Sequence, residues 1–171
     1  MVQVASGRPG RPAAATREAA LALARERFLA CERVDVQAIA RELGLARATM
    51  HRWFGTREEL LGEMLGELGE ERLHANRERA TGSGAKALLE CFDRYNRELA
   101  ATPGMGWLLA QEQERALRIL TSSGGLVQPR MVAAVESLIA AEIDAGAFST
   151  PIAPSTLGYQ GHVTNELNGV S

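Results

Sequence analysis

Arg47, Ala48, Thr49, His51 and Arg52 crowd into a few positions, with Thr56 and Arg57 close behind. Guanidinium forks bond base edges and phosphates, a hydroxyl and an imidazole add further hydrogen-bonding groups, and alanine lets a backbone come near. Together they have the chemistry to hold a polyanion, provided a scaffold turns them outward. The stretch Val36–Leu61, VQAIARELGLARATMHRWFGTREELL, supplies that scaffold. Asp35 is placed to cap a short helix whose apolar face is Val36, Ile39, Ala40 and Leu43, and Gly44 ends it. A second short helix follows from about Ala46 to Trp53. Two short helices joined by a tight turn make a helix-turn-helix. A small residue, Ala40, stands where the helices cross, and Gly44 stands where the turn requires φ > 0. Met50 is expected to point inward onto Ile39, and Phe54 to continue the buried side. The five residues left outward are small, polar and basic, which suits a major groove. The same pattern fits an αα-hairpin whose exposed face is merely solvated, so context must choose.

The flanking chain reads as helix throughout, and an all-α fold is expected. Thr16 caps a first helix over about 16–31, with Leu21, Ala24, Phe28 and Cys31 at helical spacing. Thr56 caps a long fourth helix, and Glu59 three residues on completes a capping box. Leu60, Leu61, Met64, Leu65 and Leu68 form its stripe. After the break Thr81-Gly82-Ser83-Gly84, a fifth helix carries Leu88, Leu89, Phe92, Tyr95 and Leu99. A sixth is expected over 105–120, and a seventh runs through Met131, Val132, Val135, Leu138, Ile139 and Ile143 to Gly146. An eighth could begin at Ser155, but its apolar pattern fails after Tyr159. The resulting division is a basic arm at 1–15, a helix-turn-helix domain at 16–61 and a helical body at 62–171.

Composition narrows the class. The 171 residues carry a formal net charge of −2 that hides an asymmetry. Residues 1–57 hold ten arginines against five acids, while 58–171 hold nine basic residues against sixteen acids. A basic head on an acidic body points to a polyanion for the head alone. Two cysteines, Cys31 and Cys91, make no disulfide framework or cysteine-rich zinc site. No apolar run reaches the roughly 18–20 residues of a membrane span, and a cytoplasmic setting is expected. His51, His74 and His162 have no metal-ligand spacing, and Gly82-Ser83-Gly84 lacks the strand and Lys-Ser/Thr of a phosphate loop. Glu112 and Glu114, alternating with Gln111 and Gln113, read as a solvated helix face. No catalytic residues, metal or cofactor are expected, and no enzyme.

Phe28, Ile39-Ala40, Gly44, Ala46-Arg47-Ala48-Thr49-Met50, Trp53-Phe54 and Thr56-Arg57-Glu58-Glu59-Leu60-Leu61 together resemble the DNA-binding domain of TetR-family transcriptional repressors, over about residues 17–64. The resemblance implies a regulator released from a palindromic DNA operator by a small molecule. It assigns base and phosphate contacts to Arg47 and Thr49. It places His51 where the family usually has a phosphate-touching Tyr, and Arg57 where a Lys meets phosphate at the start of helix 4. Ala46 replaces the usual capping Ser, and Cys31-Glu32-Arg33-Val34-Asp35 lacks the usual Gly-aromatic turn. It also implies a C-terminal effector pocket, for which Phe92, Tyr95, Met105, Trp107, Leu108 and Met131 are the candidates, although simple core packing fits each of them. A homodimer is implied as well, yet the polar tail after Tyr159 offers little apolar surface for one, so the C-terminal half is expected to be incomplete and the dimer weak. Arg8 and Arg11, in Gly7–Pro12, resemble the Arg-Gly-Arg-Pro core of AT-hook peptides, which lies in A·T-rich minor grooves; a disordered tail with only general phosphate attraction fits them slightly better. The competing reading for the whole chain is a helical protein–protein interaction module that binds no DNA.

Overall fold

The computed structural model describes residues 15–153 and 155–157. These form seven helices: α1 Arg17–Leu29, α2 Val36–Glu42, α3 Arg47–Phe54, α4 Arg57–Arg79, α5 Gly84–Ala100, α6 Pro103–Thr121 and α7 Val127–Asp144. A further helical turn opens at 155–157. There is no strand among the described residues, so the all-α expectation holds.

Side-chain caps set three of the seven helix starts. Thr16 Oγ1 accepts from the Ala19 N–H and Asp35 from the Ala38 N–H, each satisfying a donor the first turn leaves unpaired. Thr56 and Glu59 form the reciprocal capping box of α4. Ala46 makes no side-chain cap. Gly44 has φ +64°, the left-handed turn expected between α2 and α3.

The first helix stops earlier than its spacing suggests. It ends at Leu29, and Cys31 lies beyond it at φ +58°, the single non-glycine residue with positive φ among those described. A left-handed residue is needed to turn the chain toward α2. Cysteine takes that conformation in the segment where a glycine turn was missing. The sixth helix begins earlier than expected, because Pro103 suits the first helical turn, where its missing N–H costs nothing.

Packing builds one continuous core. Ile39 and Met50 are wholly buried, with Phe28, Ala40 and Phe54 beside them, as the helix-turn-helix pattern required. The long α4 runs on from this head and packs against α5, α6 and α7. Glycines on α4 bring α7 close: a Cβ on Gly69 would lie 2.7 Å from Met131 Sδ, and one on Gly66 3.1 Å from Arg130 Cδ. At the far end of α4, Arg77 donates through Nε and a terminal nitrogen to Glu142 of α7. The other Glu142 oxygen accepts from the Gly84 N–H at 2.5 Å. One buried carboxylate thus ties the ends of α4, α5 and α7 together.

Candidate nucleic-acid interface

Helix α3 presents two faces. Met50 and Phe54 are buried, while Arg47, Ala48, His51 and Arg52 are exposed and Thr49 is half-buried. The helical period alone produces this division. Trp53 packs edge-on to Phe54 at 6.3 Å between ring centroids, and Arg17 of α1 lies 4.9 Å over the Phe54 ring. Arg17 also reaches Glu63 of α4 at 2.5 Å, so α1, α3 and α4 meet around one aromatic side chain. His51 Nδ1 lies 2.8 Å from the Gly55 carbonyl and donates to it, which turns Nε2 away from the helix end.

Arg57 stands apart from this outward set. Its Nε donates to the Val34 carbonyl at 2.5 Å, and its two terminal nitrogens donate to the two oxygens of Glu112, each at 2.7 Å. The cation that the resemblance directs to a phosphate is committed here to α6 and to the α1–α2 link. Glu112 is correspondingly not on a solvated face: its side chain is 13% exposed, against 92% for Glu114. The reason is backbone geometry. Glu112, at φ −139° and ψ 43°, is the non-helical residue inside α6, and its carboxylate turns toward α4. Arg115 adds a bond at 2.5 Å and reaches Glu58 at 3.0 Å. The two guanidinium groups hold the Glu112 carboxyl down at about 2, Arg57 contributing most. No sequence signal marked Glu112, because no proline or glycine accompanies the kink.

Pairing also decides which head charges face outward. Arg17, Arg25, Arg27 and Arg57 each hold a carboxylate, on Glu63, Glu71, Glu32 with Glu42, and Glu112 respectively. Among the described residues of the head, the exposed arginines outside any ion pair are Arg33, Arg41, Arg47 and Arg52. The surplus positive charge therefore gathers on the helix-turn-helix and the link before it. Thr56 is exposed, with its hydroxyl taken up by the α4 cap. Arg8 and Arg11 lie outside the described residues.

Of the six candidate pocket residues, Tyr95, Met105, Leu108 and Met131 are buried, and Phe92 and Trp107 are half-buried against the same core. Tyr95 Oη lies 3.9 Å from Met131 Sδ, and burial pushes the phenol up to about 12. Two clefts open on the surface. One, of about 350 Å³, lies along the α6 kink between Glu58 and Arg118; the other, of about 260 Å³, lies between α1 and α4. Neither is lined by any of the six. Among the described residues no group of His, Cys, Asp and Glu side chains is placed to hold a metal ion, and no helix is long and apolar enough to cross a membrane.

A helix-turn-helix head joined by one long helix to an all-helical body defines a class of DNA-binding regulators. Residues 83–161 match the tetracyclin repressor-like C-terminal domain. The chain is also similar to the R. erythropolis transcriptional repressor QsdR, from the TetR family. The TM-score is 0.82 at 26% identity, over 91% of this chain and 84% of that one. No curated protein matches it. In overall fold, and in the C-terminal region matched, the chain is thus similar to TetR-family repressors.

Proposed function

We propose that this chain is a regulator of the TetR family, a DNA-binding repressor that reads a palindromic operator through α3. The carrying observation is the face of α3 itself: Arg47, Ala48, His51 and Arg52 stand exposed opposite the buried Met50 and Phe54. Arg47 and Thr49 contact bases and adjacent phosphates, His51 and Arg52 contact the flanking backbone, and Thr56 lies at the groove edge. Two copies of the chain place two such helices about 34–36 Å apart, one turn of B-DNA. Residues 1–15 act as a basic arm, with Arg8 and Arg11 adding minor-groove contacts. Residues 16–61 are the reading head and the remainder the body. A small-molecule effector, taken among Phe92, Tyr95, Met105, Trp107, Leu108 and Met131, favours a different separation of the heads and releases the operator. Because these side chains are closely packed, effector entry involves displacing a flexible one, such as Met131.

The test is selection of duplex DNA from a random pool with the full chain, followed by binding titrations. Enrichment of an inverted repeat, bound more than a thousandfold tighter than unrelated DNA, is expected. A pool that stays random would leave the interaction-module reading.

A further inference from the structure

We propose that Glu112, a residue of the body, is a specificity-determining residue for DNA reading. Through Arg57 it fixes the angle of the helix-turn-helix head, and so sets the half-site spacing the protein accepts. This inference rests on the function proposed above.

Three observations carry it. First, the Arg57 guanidinium is used from three of its corners: Nε on the Val34 carbonyl, and one terminal nitrogen on each Glu112 oxygen. A planar fork held this way fixes orientation as well as distance, which a lysine ammonium cannot do. Second, the parts it joins are the three that define the head's pose: the α1–α2 link, the start of α4 and the middle of α6. Third, Glu112 interrupts α6 at its own backbone, and both side chains are largely shielded, at 16% and 13% exposure. A change in the kink therefore shifts the carboxylate that Arg57 follows. Other contacts are less shielded or act elsewhere: Arg115 also joins α6 to the start of α4 through Glu58 at 3.0 Å, but with side chains 41% and 37% exposed. Arg17–Glu63 and Arg25–Glu71 tie α1 to α4, and at Gly104 the α6 start abuts the Phe28 carbonyl so closely that a Cβ would collide with it.

The experiment compares the full-length wild-type, Glu112→Gln, Arg57→Gln and double-variant proteins on two duplexes. One is the selected operator; the other has a base pair inserted between its half-sites. Wild-type protein is expected to prefer the original spacing. Glu112→Gln is expected to shrink that preference by about tenfold, equivalent to roughly 1.4 kcal/mol of discrimination. Arg57→Gln should match it, and the double variant should lose no more than either single one. Glu114→Gln, on the exposed side of the same helix, should keep the wild-type ratio. A second readout needs no DNA: amide exchange across residues 31–54 should quicken in Glu112→Gln. If Glu112→Gln weakens both duplexes equally and keeps their ratio, the pair only stabilises the fold and the proposal is overturned. Unchanged exchange at 31–54 overturns it as well. If wild-type protein binds no DNA, the proposed function itself fails, and the exchange measurement still decides whether Glu112 clamps the head.

Discussion

Glu142→Ala should cost more stability than truncation of any other single charged side chain in the body. The Glu142 side chain is 7% exposed and Arg77 22% exposed. Alanine removes both oxygens, so two different losses follow. The Gly84 N–H, buried with its residue, is left without the 2.5 Å acceptor it has now. An unsatisfied buried donor costs about 1–3 kcal/mol. Breaking a fully buried ion pair costs about 3–5 kcal/mol, but Arg77 keeps some access to water, so about 1–2 kcal/mol is the better figure for its part. Together these give about 2–5 kcal/mol. At about 2–4 °C per kcal/mol for a chain of this size, the melting temperature should fall by about 4–20 °C.

Urea or thermal unfolding followed by circular dichroism would measure it. Glu142→Gln keeps the shape and one acceptor, and should lose about half as much. Acid supplies an independent check. The Gly84 N–H and Arg77 hold the Glu142 carboxyl below its ordinary value of 4.5. A carboxylate with a depressed folded-state value stabilises above its unfolded value and loses that contribution as pH falls. The gap between wild-type and Glu142→Gln should therefore be full near neutrality and close as pH drops below about 4.5. A loss under 1 kcal/mol for the alanine variant, or a gap unchanged down to pH 3, would show that the three helix ends hold together without this carboxylate.

Three further outcomes follow from the head. Arg47→Ala should weaken operator binding by about 1–3 kcal/mol while leaving the circular dichroism spectrum intact; equal affinity in a gel-shift titration would remove Arg47 from the interface. Gly44→Ala should destabilise the protein by about 1–2 kcal/mol, since the site has φ +64° but open space around it, so the cost is conformational and not steric; an unchanged melting temperature would contradict that. Cys31→Gly should stabilise by about 0.5 kcal/mol, because relief of the left-handed strain slightly exceeds the entropy glycine gives up on folding; a loss of 1 kcal/mol or more would show that the thiol's packing matters more than the backbone.

What the sequence reveals here depends on how far apart the deciding residues lie. The cap at Asp35, the turn at Gly44 and the two faces of α3 are each settled within about one or two helical turns, so spacing alone exposes them. The end of α1 is local too, but its signal is negative: no glycine stands where the chain turns, and nothing in a list of residue types says that cysteine will take φ +58°. Arg57 is a different kind of case. Its position after a capping box makes it look like an anion-binding residue, and its actual partner lies 55 residues away. That partner is brought within reach by a kink at Glu112 that has no proline or glycine to announce it. Charge counting fails for the same reason. Ten arginines in the first 57 residues suggest a broadly basic head, yet four of those described are held by carboxylates, two of them on α4 and one on α6. Long-range pairing therefore does more than neutralise. By withdrawing Arg17, Arg25 and Arg57, while Glu32 and Glu42 of the head itself hold Arg27, it leaves the exposed unpaired arginines on α2, α3 and the link before them, and the acidic body thereby helps to concentrate the head's positive charge on the helices that the proposed reading brings to DNA.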